Sequence, residues 1–151
     1  MIYLTGSETD TFEFGRALGA RLKAGDCVLL TGDLGAGKSV VARGIAAAHG
    51  VMGPMPSPTF VLMIPYEGDV KIYHFDLYRL MEPEEFYQVG LEEFIGGDGI
   101  AVIEWPQMAE ISPPGAVKVD IARGDGDDGR VIDVTWEGRE HELPDAWRRD
   151  I

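Results

Sequence analysis

The chain has 151 residues, of which 13 are basic and 26 are acidic, so its net charge is −13 at neutral pH. This length predicts a single domain, 1–151, that folds without disulfides or a structural metal. The charge disfavours direct binding to DNA, RNA or an anionic membrane, because such binding needs a basic face. Cys27 is the only cysteine and lies in an apolar run, which predicts a buried, unreactive thiol. The absence of a signal sequence and of a bilayer-length apolar segment predicts a cytoplasmic protein.

The first third of the chain alternates between predicted strands and helices. Met1–Leu4 fits a short edge strand, and Ser7 begins an amphipathic helix. Cys27–Thr31 is an apolar run of strand length, which a glycine-rich loop, Gly32–Gly37, and a helix, Lys38–His49, follow directly. This succession predicts a β-sheet with helices packed on its faces.

The rest of the chain is predicted to contain two hairpins, two short helices and one buried strand. The hairpin strands are Thr59–Tyr66 with Val70–Phe75 and Val117–Ala122 with Arg130–Trp136, the helices are Pro83–Gln88 and Leu91–Ile95, and the buried strand is Ile100–Ile103. Hairpins require antiparallel pairing, so the sheet is expected to be mixed. The tail from Gly138 onward is polar, and we expect it to be partly disordered.

The glycine-rich segment Gly32–Ser39 matches the phosphate-loop pattern G-x-x-x-x-G-K-[ST] at every constrained position. Its glycines let several backbone N–H groups converge on phosphate oxygens, and the following helix adds its positive end. We expect Lys38 to contact the β- and γ-phosphates and the Ser39 hydroxyl to bind Mg²⁺. The candidate nucleotide-binding residues are Gly32, Asp33, Leu34, Gly35, Ala36, Gly37, Lys38, Ser39 and Val40. The predicted fold class is α/β, a P-loop NTPase-like mixed β-sheet flanked by helices in a single domain.

Two carboxylates at strand ends are candidates for binding magnesium and orienting water. Glu104 closes the apolar strand Ile100–Ile103, a pattern typical of a Walker B segment. Asp76 follows the strand Val70–Phe75. The alternative for each is a solvated acid at the end of a strand. The neighbouring phosphate loop favours a catalytic role for both acids together with Lys38.

Three further residues are open to two interpretations. Thr59 lies in a constrained loop after the second helix, where either a switch threonine that contacts the γ-phosphate or a turn hydroxyl fits. His74 is interpreted as a packed or hydrogen-bonded histidine rather than a catalytic one. Trp105 is interpreted as a packing residue at the border of the site. The sequence contains no Asn-Lys-x-Asp motif, which disfavours a GTPase.

Several segments in this order resemble the TsaE family, small bacterial ATPases of tRNA threonylcarbamoyladenosine biosynthesis. They are Gly32–Ser39, Ser57–Phe60, His74–Leu80, Gly90–Glu93 and Ile103–Pro106, between about Thr11 and Trp105. The resemblance implies ATP as the substrate and Mg²⁺ as the cofactor. It also implies two protein partners, a TsaD-type transferase and a TsaB-type paralogue, with tRNA contacted only indirectly. ATP turnover would then support repeated cycles of the transferase.

The resemblance also implies roles for individual residues. Lys38 would hold the phosphates, while Ser39, Glu104 and Asp76 would be the metal ligands. Asp76 would in addition orient the attacking water. The family's usual paired threonines are replaced by Ser39 and Val40, and a serine hydroxyl still binds magnesium.

Three positions outside these central residues are implied to approach the nucleotide. Thr59 would belong to a switch-like loop, Thr11 to an N-terminal segment beside the nucleotide, and Arg130 to the region after the acidic loop. Apart from the loose alignment of Arg130, the segment after Ile111 shows no block that matches the family pattern.

Two other functions would use the same loop. A small-molecule kinase needs a lid that carries arginines, and the candidate lid Met81–Gly97 contains none. A nucleotide-dependent binding switch with little turnover would lack a water-orienting acid, whereas Asp76 and Glu104 are both available. We expect weak turnover by the isolated chain, with a partner that completes the site.

Overall fold

One mixed sheet forms the centre of the molecule. The computed structural model describes residues 1–56, 58 and 61–149. Its strands are β1 (Ile2–Thr5), β2 (Cys27–Thr31), β3 (Met63–Tyr66), β4 (Lys71–Asp76), β5 (Gly99–Glu104), β6 (Val117–Arg123), β7 (Arg130–Thr135) and β8 (Arg148–Arg149). Their order in the sheet is β3-β4-β5-β2-β6-β7-β1-β8. The sheet order confirms the predicted α/β fold class with a mixed sheet.

Three α-helices and three short 3₁₀ segments connect the described strands. They are α1 (Glu8–Gly19), α2 (Lys38–Ala48), α3 (Glu84–Gln88) and the 3₁₀ segments Leu91–Phe94, Pro106–Ala109 and Glu140–Glu142. Helix α1 begins as predicted at Ser7, whose side chain accepts a hydrogen bond from the backbone N–H of Asp10. Within the part of the chain that the structure describes, no helix is long and apolar enough to cross a membrane.

The parallel part of the sheet places the glycine-rich loop at a central edge. Strand β2 pairs in parallel with β5 on one side and with β6 on the other. Strand β4 pairs in parallel with β5. The carboxyl ends of these strands therefore lie at the same edge of the sheet, where open α/β sheets bind their ligands.

Strand β2 is buried on both faces. Val28 and Leu30 pack into the core beneath α1 and α2, whereas Leu29 packs into a second core on the opposite face. This two-sided burial explains its continuous apolar sequence. Cys27 is also buried, and burial raises the pKa of its thiol to about 12, which agrees with the predicted buried thiol.

The described part of the C-terminal tail makes a few specific contacts with the rest of the chain. Strand β8 pairs with β1 through Arg148 and Arg149. The Tyr3 hydroxyl donates a hydrogen bond of 2.8 Å to the carbonyl of Pro144, and Leu143 is buried. A few contacts therefore join a segment of polar composition to the start of the chain, and its partial disorder stays a prediction. The same pairing places β1 between β7 and β8, so it is not the predicted edge strand.

Two predicted elements differ in detail from those of the structure. The strand expected from Thr59 begins at Met63, after Leu62, whose φ of 68° is incompatible with an extended strand. The helix expected at residues 91–95 is a 3₁₀ segment that ends where Ile95 becomes extended.

Helices α1 and α2 approach each other closely because glycines lie at their contact. A Cβ atom at Gly15 would lie 2.5 Å from the carbonyl oxygen of Val41, and one at Gly44 would lie 2.3 Å from that of Phe12. Both distances are too short for a side chain, so this packing requires glycine. The contact fixes α2, and with it the start of α2 at the glycine-rich loop.

The substitution Gly44→Ala tests this close contact. In an exposed helix the change would add about 1 kcal/mol of stability through helix propensity. Here we expect a loss of about 1–3 kcal/mol in the free energy of unfolding, because the new methyl group collides with backbone. Urea denaturation measures the difference. Gly97→Ala is the control, since a Cβ atom there would lie 3.4 Å from its nearest neighbour, the Glu93 carbonyl oxygen. An equal effect of both variants would contradict the explanation.

Candidate functional site

The loop between β2 and α2 has a backbone that depends on glycine. Gly32, Gly35 and Gly37 have φ angles of 141°, 77° and 114°, in the region that favours glycine. A Cβ atom at Gly32 would also lie 2.4 Å from the carbonyl oxygen of Ile121. Gly37 precedes α2 and supplies no side-chain cap. The first N–H groups of a helix have no intrahelical partner, so this end of α2 is suited to bind an anion.

Lys38 lies at the start of α2 with its ammonium group folded over the loop. Its Nζ donates hydrogen bonds of 2.6 Å and 2.8 Å to the carbonyl oxygens of Gly32 and Asp33. It also lies 4.5 Å from the centre of the Trp105 ring. Burial lowers the pKa of Lys38, and the nearby carboxylate of Glu104 opposes that shift. These contacts hold the ammonium group at the loop, where a phosphate oxygen could take the place of a carbonyl oxygen as its acceptor.

The two predicted acids lie side by side. Asp76 and Glu104 are paired residues at the ends of β4 and β5. Glu104 is buried, and Asp76 accepts a hydrogen bond of 3.1 Å from the backbone N–H of Tyr78. Both acids, Lys38 and Ser39 line one cavity of about 320 Å³. The structure thus brings together four residues that the sequence analysis placed in one site.

The oxygen donors of this cavity fit a magnesium ion that is shared with phosphate. Ser39, Asp76 and Glu104 supply a hydroxyl and two carboxylates. Mg²⁺ prefers oxygen ligands, and protein sites commonly hold it through one or two carboxylates together with substrate phosphates. The described residues contain no group of three or more His, Cys, Asp or Glu side chains that could hold a metal by themselves.

A second cavity, of about 180 Å³, lies on the other side of the loop. Thr11, Val40 and Arg130 line it together with the loop glycines. Arg130 Nε donates a hydrogen bond of 2.6 Å to the carbonyl of Ala36. The buried Thr11 hydroxyl is hydrogen-bonded to that of Thr5 at 2.7 Å. Thr11 and Arg130, two of the three positions that the family resemblance implied, therefore lie beside the loop.

The other loop residues differ in exposure, and one predicted residue cannot be placed. Leu34 is exposed, whereas Ala36 is buried. Thr59 lies outside the described residues, so its place in a switch-like loop stays a prediction.

Three residues outside the predicted site also line the main cavity. His74 forms a 2.6 Å hydrogen bond with Glu104, which confirms the interpretation of a hydrogen-bonded histidine. The Trp105 ring lies against Lys38 and therefore belongs to the site rather than to its border. Arg43 lines the cavity and forms an ion pair with Glu8 at 3.2 Å. The sequence could have placed His74 at the site, because side chains alternate along a strand and residues 74 and 76 therefore share a face. It could also have placed Arg43 there, because Arg43 lies one helical turn after Ser39.

The central parallel strand, the glycine-dependent loop and the uncapped helix define a P-loop-like α/β protein. The family model "Threonylcarbamoyl adenosine biosynthesis protein TsaE" matches residues 5–132 and so extends past Ile111, where no matching block was expected. The chain belongs to the TsaE family, which takes part in tRNA threonylcarbamoyladenosine biosynthesis.

Similar proteins cover almost the whole chain. The TsaE protein of Nostoc sp. is 38% identical over 139 residues, which are 89% of this chain and 84% of the relative. The TsaE protein of Bacillus subtilis is 33% identical over 140 residues, 92% of this chain and 87% of the relative. The crystal structure of Bacillus subtilis YdiB superposes with a TM-score of 0.77 at 30% identity, covering 95% of this chain and 89% of that chain.

The loop geometry predicts that magnesium pyrophosphate stabilises the folded protein. A ligand at 100 times its dissociation constant adds about 2.7 kcal/mol to the free energy of unfolding. We expect Lys38→Met to lose most of this gain, because the variant lacks the ammonium group at the loop. Thermal unfolding with and without pyrophosphate measures it. The exposed Lys23 provides the control, Lys23→Met, which should keep the full gain. Equal stabilisation of both variants would exclude Lys38 from anion binding.

Proposed function

We propose that this chain is a magnesium-dependent ATPase that supports threonylcarbamoyladenosine modification of tRNA together with TsaB-type and TsaD-type partner proteins. The observation that carries the proposal is the convergence of Lys38, Ser39, Asp76 and Glu104 on one cavity at the start of α2. Phosphoryl transfer depends mainly on positioning and on neutralising charge, and these residues supply both.

The loop and Lys38 would hold the phosphates. The backbone N–H groups at the start of α2 offer directed donors, and the ammonium group offers a positive charge with little water around it. Burial strengthens its attraction to phosphate, because the local dielectric is low. On binding, the phosphate oxygens would replace the carbonyl oxygens of Gly32 and Asp33 as acceptors for Nζ.

The carboxylates would divide two tasks between them. Glu104 and the Ser39 hydroxyl would bind the metal, while Asp76, at the adjacent strand end, would orient the attacking water. When bound, Mg²⁺ would neutralise charge on the β- and γ-phosphates. Arg130 and Thr11 would contact the nucleotide from the second cavity on the other side of the loop.

The charge of the chain supports a division of labour with partner proteins. A net charge of −13 suits a protein that leaves tRNA binding to others. Arg123 and Arg130 both donate hydrogen bonds to loop carbonyls, at 3.2 Å and 2.6 Å. These hydrogen bonds use the arginines to support the loop backbone. A partner protein would therefore supply further positive charge for the transition state, or would hold the site in its active arrangement.

Replacing one carboxylate tests the assignment of Asp76. Asp76→Asn keeps the side-chain oxygen that can accept the hydrogen bond from Tyr78 and removes the negative charge. We expect ATP hydrolysis to fall about 10²–10⁴-fold, the usual contribution of a positioned base. Nucleotide affinity should change little, because Lys38 and the loop remain. Phosphate release and calorimetric titration with ADP separate the two effects. Asp145→Asn is the control, since that exposed residue is ion-paired with Arg148. Hydrolysis at the normal rate in Asp76→Asn would exclude this role.

The partner dependence is tested by adding a bacterial TsaB–TsaD pair to the purified chain. We expect faster phosphate release from Mg-ATP, and Lys38→Ala should abolish it. Equal rates with and without the pair would contradict the partner part of the proposal. Transfer of the phosphate to a small acceptor instead of water would identify a kinase.

A further inference from the structure

His74 and Glu104 form a buried pair at the wall of the main cavity. The ring Nε2 lies 2.6 Å from Glu104 Oε2, and the two residues are 3% and 7% exposed. A carboxylate has only acceptor atoms, so Nε2 carries the hydrogen and donates it to Glu104. His74 lies on β4 and Glu104 on β5, and the hydrogen bond therefore links two neighbouring parallel strands.

The second ring nitrogen of His74, Nδ1, argues against a role in packing alone. Among the described residues, Nδ1 is buried and has no hydrogen-bond partner. An unpaired buried polar atom costs free energy, which an apolar side chain of similar size would avoid. His49 provides a comparison, because its Nδ1 is hydrogen-bonded to Asp69 and its Nε2 to the carbonyl of Gly19. The fold therefore satisfies one buried histidine fully and leaves His74 with only its bond to Glu104.

We propose that His74 is a positioning residue for the metal: it holds one oxygen of Glu104 so that the carboxylate meets Mg²⁺ through the other. This inference rests on the proposed function, because it takes Glu104 as a metal ligand. Hydrogen bonds to a ligating carboxylate fix its orientation, and their loss weakens metal binding. A buried carboxylate free to rotate would have to be reoriented each time the metal binds.

The location of the pair fits this role. Asp76, two residues after His74 on the same strand face, lines the same cavity, so β4 supplies both the orienting ring and the second acid. Lys38, the buried cation nearby, donates to loop carbonyls. His74 therefore provides the hydrogen bond that orients Glu104, while Lys38 is kept for the phosphates.

The test uses Mn²⁺ as a probe, titrated into the full chain saturated with ADP, with free Mn²⁺ measured by electron paramagnetic resonance. His74→Leu should raise the Mn²⁺ dissociation constant about 10–100-fold. His74→Gln, whose amide nitrogen replaces Nε2 as the donor, should restore an affinity close to that of the unmodified chain. His74→Asn is too short to reach Glu104 and should behave like the leucine variant, so it replaces that variant if His74→Leu does not fold.

Two controls separate positioning from a general loss of structure. His49→Leu removes the hydrogen bond between the buried His49 and the exposed Asp69, away from the cavity, and should leave Mn²⁺ affinity unchanged. ADP affinity without metal should be the same in all variants. If His74→Leu or His74→Asn binds Mn²⁺ as the unmodified chain does, or if His74→Gln fails to restore binding, the positioning role is overturned. If the unmodified chain binds no ADP and Mn²⁺, the proposed function itself fails.

Discussion

The parallel pairing of β2 with both β5 and β6 is the constraint on which the site depends. It buries β2 on both faces and brings its carboxyl end to the middle of the sheet edge. The chain leaves this strand through Gly32, where a Cβ atom would lie only 2.4 Å from the carbonyl oxygen of Ile121 on β6, so no side chain fits. Strands β4 and β5 end at the same edge of the sheet. The acids at their ends, Asp76 and Glu104, therefore lie beside the loop. The position of the cavity therefore follows from strand order.

Close backbone contacts hold the loop in place from two directions. Glycines between α1 and α2 let the helices approach within a distance that alanine would prevent. On the other side, Arg123 and Arg130 tie the β6–β7 region to the loop carbonyls. A loop whose N–H groups converge on an anion needs such support, because a shift of its backbone would change the direction of those N–H groups relative to the anion. The α1–α2 contact and the arginines thus belong to the same functional unit.

The electrostatics of the cavity combine one buried cation with two acids. Lys38 is desolvated, with Glu104 and Asp76 nearby to offset part of the cost of its charge. Trp105 adds an aromatic face to the ammonium group and limits water around it. The proposed ligands, nucleotide phosphates with a divalent ion, carry charges of both signs and would therefore pair with both the lysine and the acids. The polarity of the cavity and the proposed ligand match each other.

Local patterns in the sequence determined β2, the glycine-rich loop, the Ser7 cap and the acids at the ends of β4 and β5, because each depends on near neighbours in the chain. Tertiary structure alone decided the rest. In the polar tail, Leu143 is buried and β8 pairs with β1, whose residues lie more than a hundred positions away. The pairing of His74 with Glu104 arises from the register of β4 and β5. Such contacts join distant segments, and only the packed sheet sets their distances and burial.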